Sequence, residues 1–279
     1  MKLEVIDLQT AIKNKSDLAA IKKADAASLE SFKGSLNQLV DALANTANER
    51  QVEQAVEIFL RNVGYSSSEI IPQAGSSAGK VDYALYSTKL GHNRTLIEAK
   101  SLSNKSEFLS LENANKKALH ELIRYFYREI EADNQYVHKL IATNGIEWYF
   151  FDAKSFYDKL VNNSSLHKEY KKLISFADYG KDTSAIYDLI KNYLDETNLV
   201  FPCVYVDLSG SERFSKTQLQ ALYKLFSRQN LLNDETVVEH DVNDINQRFY
   251  DELLYIMGLR EVENNGKRVI EFLTTDSGA

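Results

Sequence analysis

Three residues raise the first chemical question: Asp82, Glu98 and Lys100. Phosphodiester hydrolysis needs hard oxygen ligands for a divalent metal, and a polar group that places or deprotonates the attacking water. Two carboxylates with a lysine two positions after the second meet that need. Along a strand, residues i and i+2 face the same side, so Glu98 and Lys100 are expected to project together. Asp82, on the preceding strand, is expected to approach Glu98 across the sheet, and the backbone carbonyl of Ala99 to add a further metal ligand. Acid-x-Lys alone is a weak signal, because it recurs at Asp152-Ala-Lys154 and Glu169-Tyr-Lys171. Glu169 falls in a helical stretch and reads as a solvated face. Asp152 follows an apolar strand but has no upstream Asp on a paired strand. The plain alternative for Asp82, Glu98 and Lys100 is a set of charged side chains at strand ends.

The surrounding elements favour the chemical reading. Leu29, Phe32, Leu36, Leu39, Val40 and Leu43 recur at three- and four-residue steps, which predicts one helix. A second stripe, Val52, Val56, Phe59, Leu60 and Val63, ends at Gly64, a helix-stopping residue. Strand-like runs follow at 69–73, 81–86 and 95–99, then a helical period over 111–130, then strands at 139–142 and 148–151. Helix, three strands, helix, two strands suits an α/β fold with a mixed sheet flanked by helices. Beyond Asp152 the pattern is mainly helical, with a lone strand candidate at 200–208 and a capping box at Ser215 and Gln218. The expected division is an N-terminal helical segment over 1–45, a core over 46–153 and a mainly helical connector over 154–279.

With Val81-Asp82 followed by Glu98-Ala-Lys100, the chain resembles the PD-(D/E)XK nuclease superfamily. That resemblance implies a restriction-endonuclease-like sheet, a Mg2+ ion (Mn2+ as substitute) held by Asp82, Glu98 and Ala99, and Lys100 positioning the water. It also implies a glutamate on the first core helix, for which Glu49 fits best and Glu53 stands in reserve. The family's Gln-x-x-x-Tyr is represented by Glu121 and Tyr125, a departure at the first position. Glu49, Glu53 and Glu57 also share one helical face that solvent alone would explain.

Ala118-Leu-His-Glu-Leu-Ile-Arg-Tyr125, Thr143-Asn-Gly-Ile-Glu-Trp-Tyr-Phe-Phe-Asp152 and Phe249-Tyr-Asp-Glu-Leu-Leu-Tyr-Ile-Met-Gly-Leu259 are similar to the N-terminal region of type IIG restriction-modification enzymes. This similarity implies a type II site-specific deoxyribonuclease module acting on double-stranded DNA. It further implies methyltransferase and target-recognition domains downstream in one parent chain, with S-adenosylmethionine used only there. With Pro72 and Pro202 the only prolines, the methyltransferase's Asn-Pro-Pro-Tyr cannot occur in these residues. The apolar run Arg268 to Leu273 is expected to need a partner beyond this sequence.

Other chemistries lack their residues. His120-Glu121 opens a zinc-protease-like motif, but Arg124 fills the second histidine position, and the five histidines show no ligand spacing. No Walker loop or Gly-x-Ser-x-Gly is present. Cys203 is the single cysteine, so no disulfide framework exists within these residues. Acidic residues stand where a signal peptide needs an apolar segment, and no run is long enough to span a bilayer, so a cytoplasmic protein is expected. The net charge of −7 is unusual for a DNA binder. Lys116, Lys117, Arg124 and Tyr125 are the candidate DNA contacts, within a loose basic group that includes Arg94, Lys105 and Arg128 and is interleaved with glutamates. Two functions therefore stand: a metal-dependent endonuclease module, or a nuclease-like scaffold that does not cut.

Overall fold

The computed structural model describes residues 1–14, 16–44, 48–76, 79–162, 164–175, 183–234, 254, 256–264 and 267–272. Two units are distinguished, Met1–Asp234 and Glu235–Ala279.

In the first unit the helical stripes become α3 (Ala26–Leu43) and α4 (Glu49–Asn62), after β1 (Lys2–Ile6) and the short helices α1 (Leu8–Asn14) and α2 (Ser16–Ala20). Asp25 caps α3 by accepting from Ser28 N, and Asn48 and Gln51 form a reciprocal capping box on α4. Then come β2 (Ile70–Ser76), β3 (Gly79–Ser87), β4 (His92–Ala99), α5 (Lys117–Glu131), β5 (Lys139–Thr143) and β6 (Glu147–Asp152). Next are α6 (Ala153–Phe156), running into a π-helical turn at Tyr157–Val161, then α7 (Ser165–Ser175), α8 (Ser184–Glu196), β7 (Val200–Asp207), α9 (Lys216–Phe226) and α10 (Arg228–Leu231).

The strands form one mixed sheet in the order β1-β7-β6-β5-β4-β3-β2. β1 pairs with β7, and β4 with β5, in parallel; the remaining neighbours are antiparallel. Strand alternation sorts the core onto two faces. Trp148 and Phe150 of β6 pack on the face covered by α3, α4 and α9, whereas Tyr149 and Phe151 pack on the face covered by α5, α7 and α8. Aromatic contacts hold the first face: Phe226 lies edge-on to Phe59, Trp148 and Phe150, with centroids 5.1, 4.9 and 5.3 Å away.

The α/β fold and its mixed sheet agree with the expectation, but the boundaries at 45 and 153 do not. β1 opens the supposed helical segment and lies at the sheet's edge, where its mostly exposed residues give little periodic signal. The lone strand at 200–208 joins β6 and β1 into the same sheet, so the residues beyond 153 supply part of the core rather than a connector. The helix expected from Leu111 begins only at Lys117; before it, Ser110 N donates to Asn113 O in a loop. The helix expected around Phe249 to Met257 lies largely outside the described residues. In the second unit β8 (Leu259–Asn264) and β9 (Lys267–Phe272) form an antiparallel pair, which gives the Arg268 run a neighbouring strand but leaves Ile270 exposed.

Two glycines separate backbone freedom from helix propensity. Gly145, in the β5–β6 turn, has φ +86°, and a Cβ there would collide with the Leu43 side chain of α3. Gly34 is helical in α3 with open space around it. Gly145→Ala is expected to destabilise the fold by roughly 1–3 kcal/mol, and Gly34→Ala to stabilise it by about 0.5–1 kcal/mol. Urea unfolding measures both, and shifts of the same sign would contradict this account of the turn.

Candidate active site

The site forms at one end of the sheet, where β3, β4 and β5 meet α4 and α5. β3 and β4 pair with Tyr83 opposite Ile97, and one further step of that register sets Asp82 across from Glu98. Lys100 N donates to Thr143 O at 2.9 Å, which holds the end of β4 against β5. The capping box fixes the start of α4 at Glu49, and α5 brings Glu121 over the opposite face of the sheet.

Lys100 stands at the centre, 2 % exposed. Its Nζ donates to Glu98 Oε1 at 2.5 Å and to Glu49 Oε1 at 3.3 Å. It also forms an ion pair with Glu121 Oε2 at 2.9 Å. Burial disfavours the ammonium, yet the charges of Glu98 and Glu121 outweigh that cost and raise its pKa. Asp82 turns to the other side of this group, where its Oδ2 accepts the Ala99 N–H at 2.8 Å. Burial pushes the Asp82 carboxyl up to about 7, although the Ala99 amide and Lys100 favour its charged form.

Glu98 is buried to 2 % exposure, and burial first, then Asp82 and Glu121, raises its pKa well above the ordinary value. Burial would raise Glu121 too, but its hydrogen bond with Glu98 and the charge of Lys100 hold it low. Glu98 Oε2 is buried without a hydrogen-bond partner among the described residues, and Glu121 Oε2 faces the Lys100 ammonium. Burial and the two neighbouring carboxylates thus favour the neutral form of Glu98, whereas Lys100 favours its charged form.

A second cluster adjoins the first. Glu49, Glu53 and Asp82 each offer a carboxylate oxygen, all within 4.8 Å of one another, and each residue is partly buried. Burial and then Glu49 raise the Glu53 pKa, the cost of crowding like charges. Hard oxygens in a half-buried group fit a divalent cation such as Mg2+ or Mn2+, whose charge would relieve that crowding.

The structure therefore brings Asp82, Glu98, Lys100 and Glu49 together, with Ala99 fully buried between the strands. Glu53, held in reserve for Glu49, joins it, since four-residue spacing on one helix makes the two neighbours. The structure adds Glu121 as well, the acidic residue in the Gln-x-x-x-Tyr position. The rival motif is dispersed: Asp152 pairs with Lys139, and Lys154 pairs with Asp158 at 3.2 Å. Of the candidate DNA contacts, Lys117 is exposed and pairs with Glu107 at 3.2 Å, and Lys116 is partly exposed. Arg124 and Tyr125 are buried, with Arg124 donating to Tyr187 Oη at 2.9 Å. Arg94 sits at the far end of β4, bonded to the carbonyls of Leu232 and Asn233.

Fold and site together define an α/β protein whose mixed sheet ends in carboxylates gathered around a buried lysine. Residues 12–239 match the family described as Domain of unknown function (DUF7149), and the chain belongs to that family. Residues 242–278 match a second, Domain of unknown function (DUF7814), and the seam between the matches falls close to the structural division at Asp234. No curated protein and no solved structure matches the chain.

The raised Asp82 pKa carries a stability signature. Between its unfolded value near 3.8 and its folded value of about 7, the native state holds a proton that the unfolded chain releases. Stability of the metal-free protein should thus fall as pH rises through that window. Urea unfolding in chelator between pH 4.5 and 7.5 is expected to give a shallower decline for Asp82→Asn, by up to about one proton in slope. Parallel profiles for the two proteins would refute the assignment.

Proposed function

We propose that this chain is a metal-dependent endonuclease module that hydrolyses phosphodiester bonds in double-stranded DNA. The observation that carries this reading is the convergence of Asp82, Glu98 and Lys100 with Glu49 at one end of the sheet. The PD-(D/E)XK resemblance supports it independently of that geometry. Asp82, Glu49 and Glu53 would hold a Mg2+ or Mn2+ ion. Such a metal, when bound, polarises a phosphate oxygen and makes a bound water more acidic.

The chain's own residues supply the remaining parts. Lys100, held charged by its carboxylates, is suited to orient the attacking water or to offset charge developing on the phosphate. An ammonium in that state is a poor proton acceptor, so base action falls to another group or to the solvent. The net charge of −7 fits a module whose DNA affinity is supplied elsewhere. That division of labour matches the type IIG resemblance, in which target-recognition and methyltransferase domains share the chain.

Neutral isosteres test the reading with least disturbance to packing. Asp82→Asn and Glu98→Gln are expected to lower Mg2+-dependent nicking of plasmid DNA by roughly 10²–10⁴-fold. Asp152→Asn, outside the cluster, should cut normally. A native chain without cleavage in either Mg2+ or Mn2+ would favour the scaffold reading. Full activity in Glu98→Gln would remove that residue from the mechanism.

A further inference from the structure

Glu49 belongs to two groups at once. Its carboxylate accepts from Lys100 Nζ at 3.3 Å, and it is one of the three residues whose oxygens gather beside Asp82. A cation bound there competes with the ammonium for Glu49. What decides the contest is how firmly Lys100 is held from the other side. Two carboxylates hold it there: Glu98 at 2.5 Å and Glu121 at 2.9 Å. Glu121 lies outside the acidic metal cluster and comes from a different helix, α5. Its side chain is 11 % exposed, whereas that of Glu49 is 39 % exposed. The less hydrated carboxylate is the stronger electrostatic partner for the ammonium.

We infer that Glu121 is a positioning residue that, together with Glu98, anchors the Lys100 ammonium on the α5 side of the site and so leaves Glu49 to the metal. The inference rests on the metal-binding reading above and adds the residue that makes the two functions of the cluster compatible. A glutamine at position 121 keeps the shape but gives up the charge. Lys100 then leans on Glu98 and Glu49, and the metal must displace it.

A double-mutant cycle read by Mn2+ binding tests this without relying on cleavage. Calorimetric titration of the full chain is expected to show about a tenfold weaker Mn2+ affinity in Glu121→Gln than in the native protein. In a Lys100→Met background, where no ammonium competes, the Glu121→Gln change should alter Mn2+ affinity by less than about twofold. Lys100→Gln serves in the same cycle if Lys100→Met does not fold. An equal loss in both backgrounds would mean that Glu121 acts by charge at a distance, and would overturn the inference. An unchanged affinity in Glu121→Gln, with Mn2+ bound normally by the native chain, would overturn it as well while sparing the metal reading. No Mn2+ binding by the native chain at millimolar concentration would overturn the metal reading and this inference together.

Discussion

Burying the Lys100 ammonium is the constraint on which the rest of the site depends. An ion of that size loses several kcal/mol of solvation on leaving water, and only well-placed opposite charges recover the loss. The charges come from three separate elements: Glu49 at the start of α4, Glu98 on β4 and Glu121 on α5. α4 covers one face of the sheet and α5 the other, so one lysine ties both helical layers to the strand that carries it. Removing any one of these carboxylates changes more than a single contact. It redistributes the ammonium among those that remain and alters which of them is available to a ligand.

The same crowding explains why the carboxylates differ although their chemistry is identical. Burial raises the Glu98 pKa, Lys100 and Glu98 hold that of Glu121 low, and the Ala99 amide offsets part of the cost of burying Asp82. Glu49 and Glu53 lie nearer the solvent. A gradient of burial thus runs from α5 to α4 across the end of the sheet. The deep end retains the lysine, and the shallow end is open to a cation.

Much of this was legible in the sequence, and the omissions have physical reasons. Asp82, Glu98 and Lys100 were found because strand periodicity is short-range: two residues apart means one face. The capping box at Ser215 and Gln218 was found for the same reason, since its partners are three residues apart. β1 and the place of β7 were not found, because their mutual pairing joins residues about 200 apart and the β6–β7 pairing is also non-local, so neither leaves a local trace. The contact of Glu121 with Lys100 was not found either. The helix showed only an acidic residue where a glutamine was expected, and the lysine that explains it lies across the sheet. Arg124 misled because a basic residue on an amphipathic helix reads as surface until its partner, Tyr187 on α8, is known.

Where the cations are spent bears on how an acidic chain can meet a polyanion. Arg94 holds the carbonyls of Leu232 and Asn233, and Lys224 holds those of Leu18 and Ala19. Lys139 pairs with Asp152, and Arg228 with Glu69. Lys100 itself is enclosed by glutamates. Four of these five cations are buried and Arg228 is partly exposed, and each is committed to protein oxygens. A phosphate backbone approaching the cluster would therefore meet carboxylates first, and like charges repel more strongly where water is partly excluded. Occupation of the cluster by a divalent cation reverses that local sign. On this electrostatic ground the proposed endonuclease reading requires metal binding to come before, or together with, the approach of DNA.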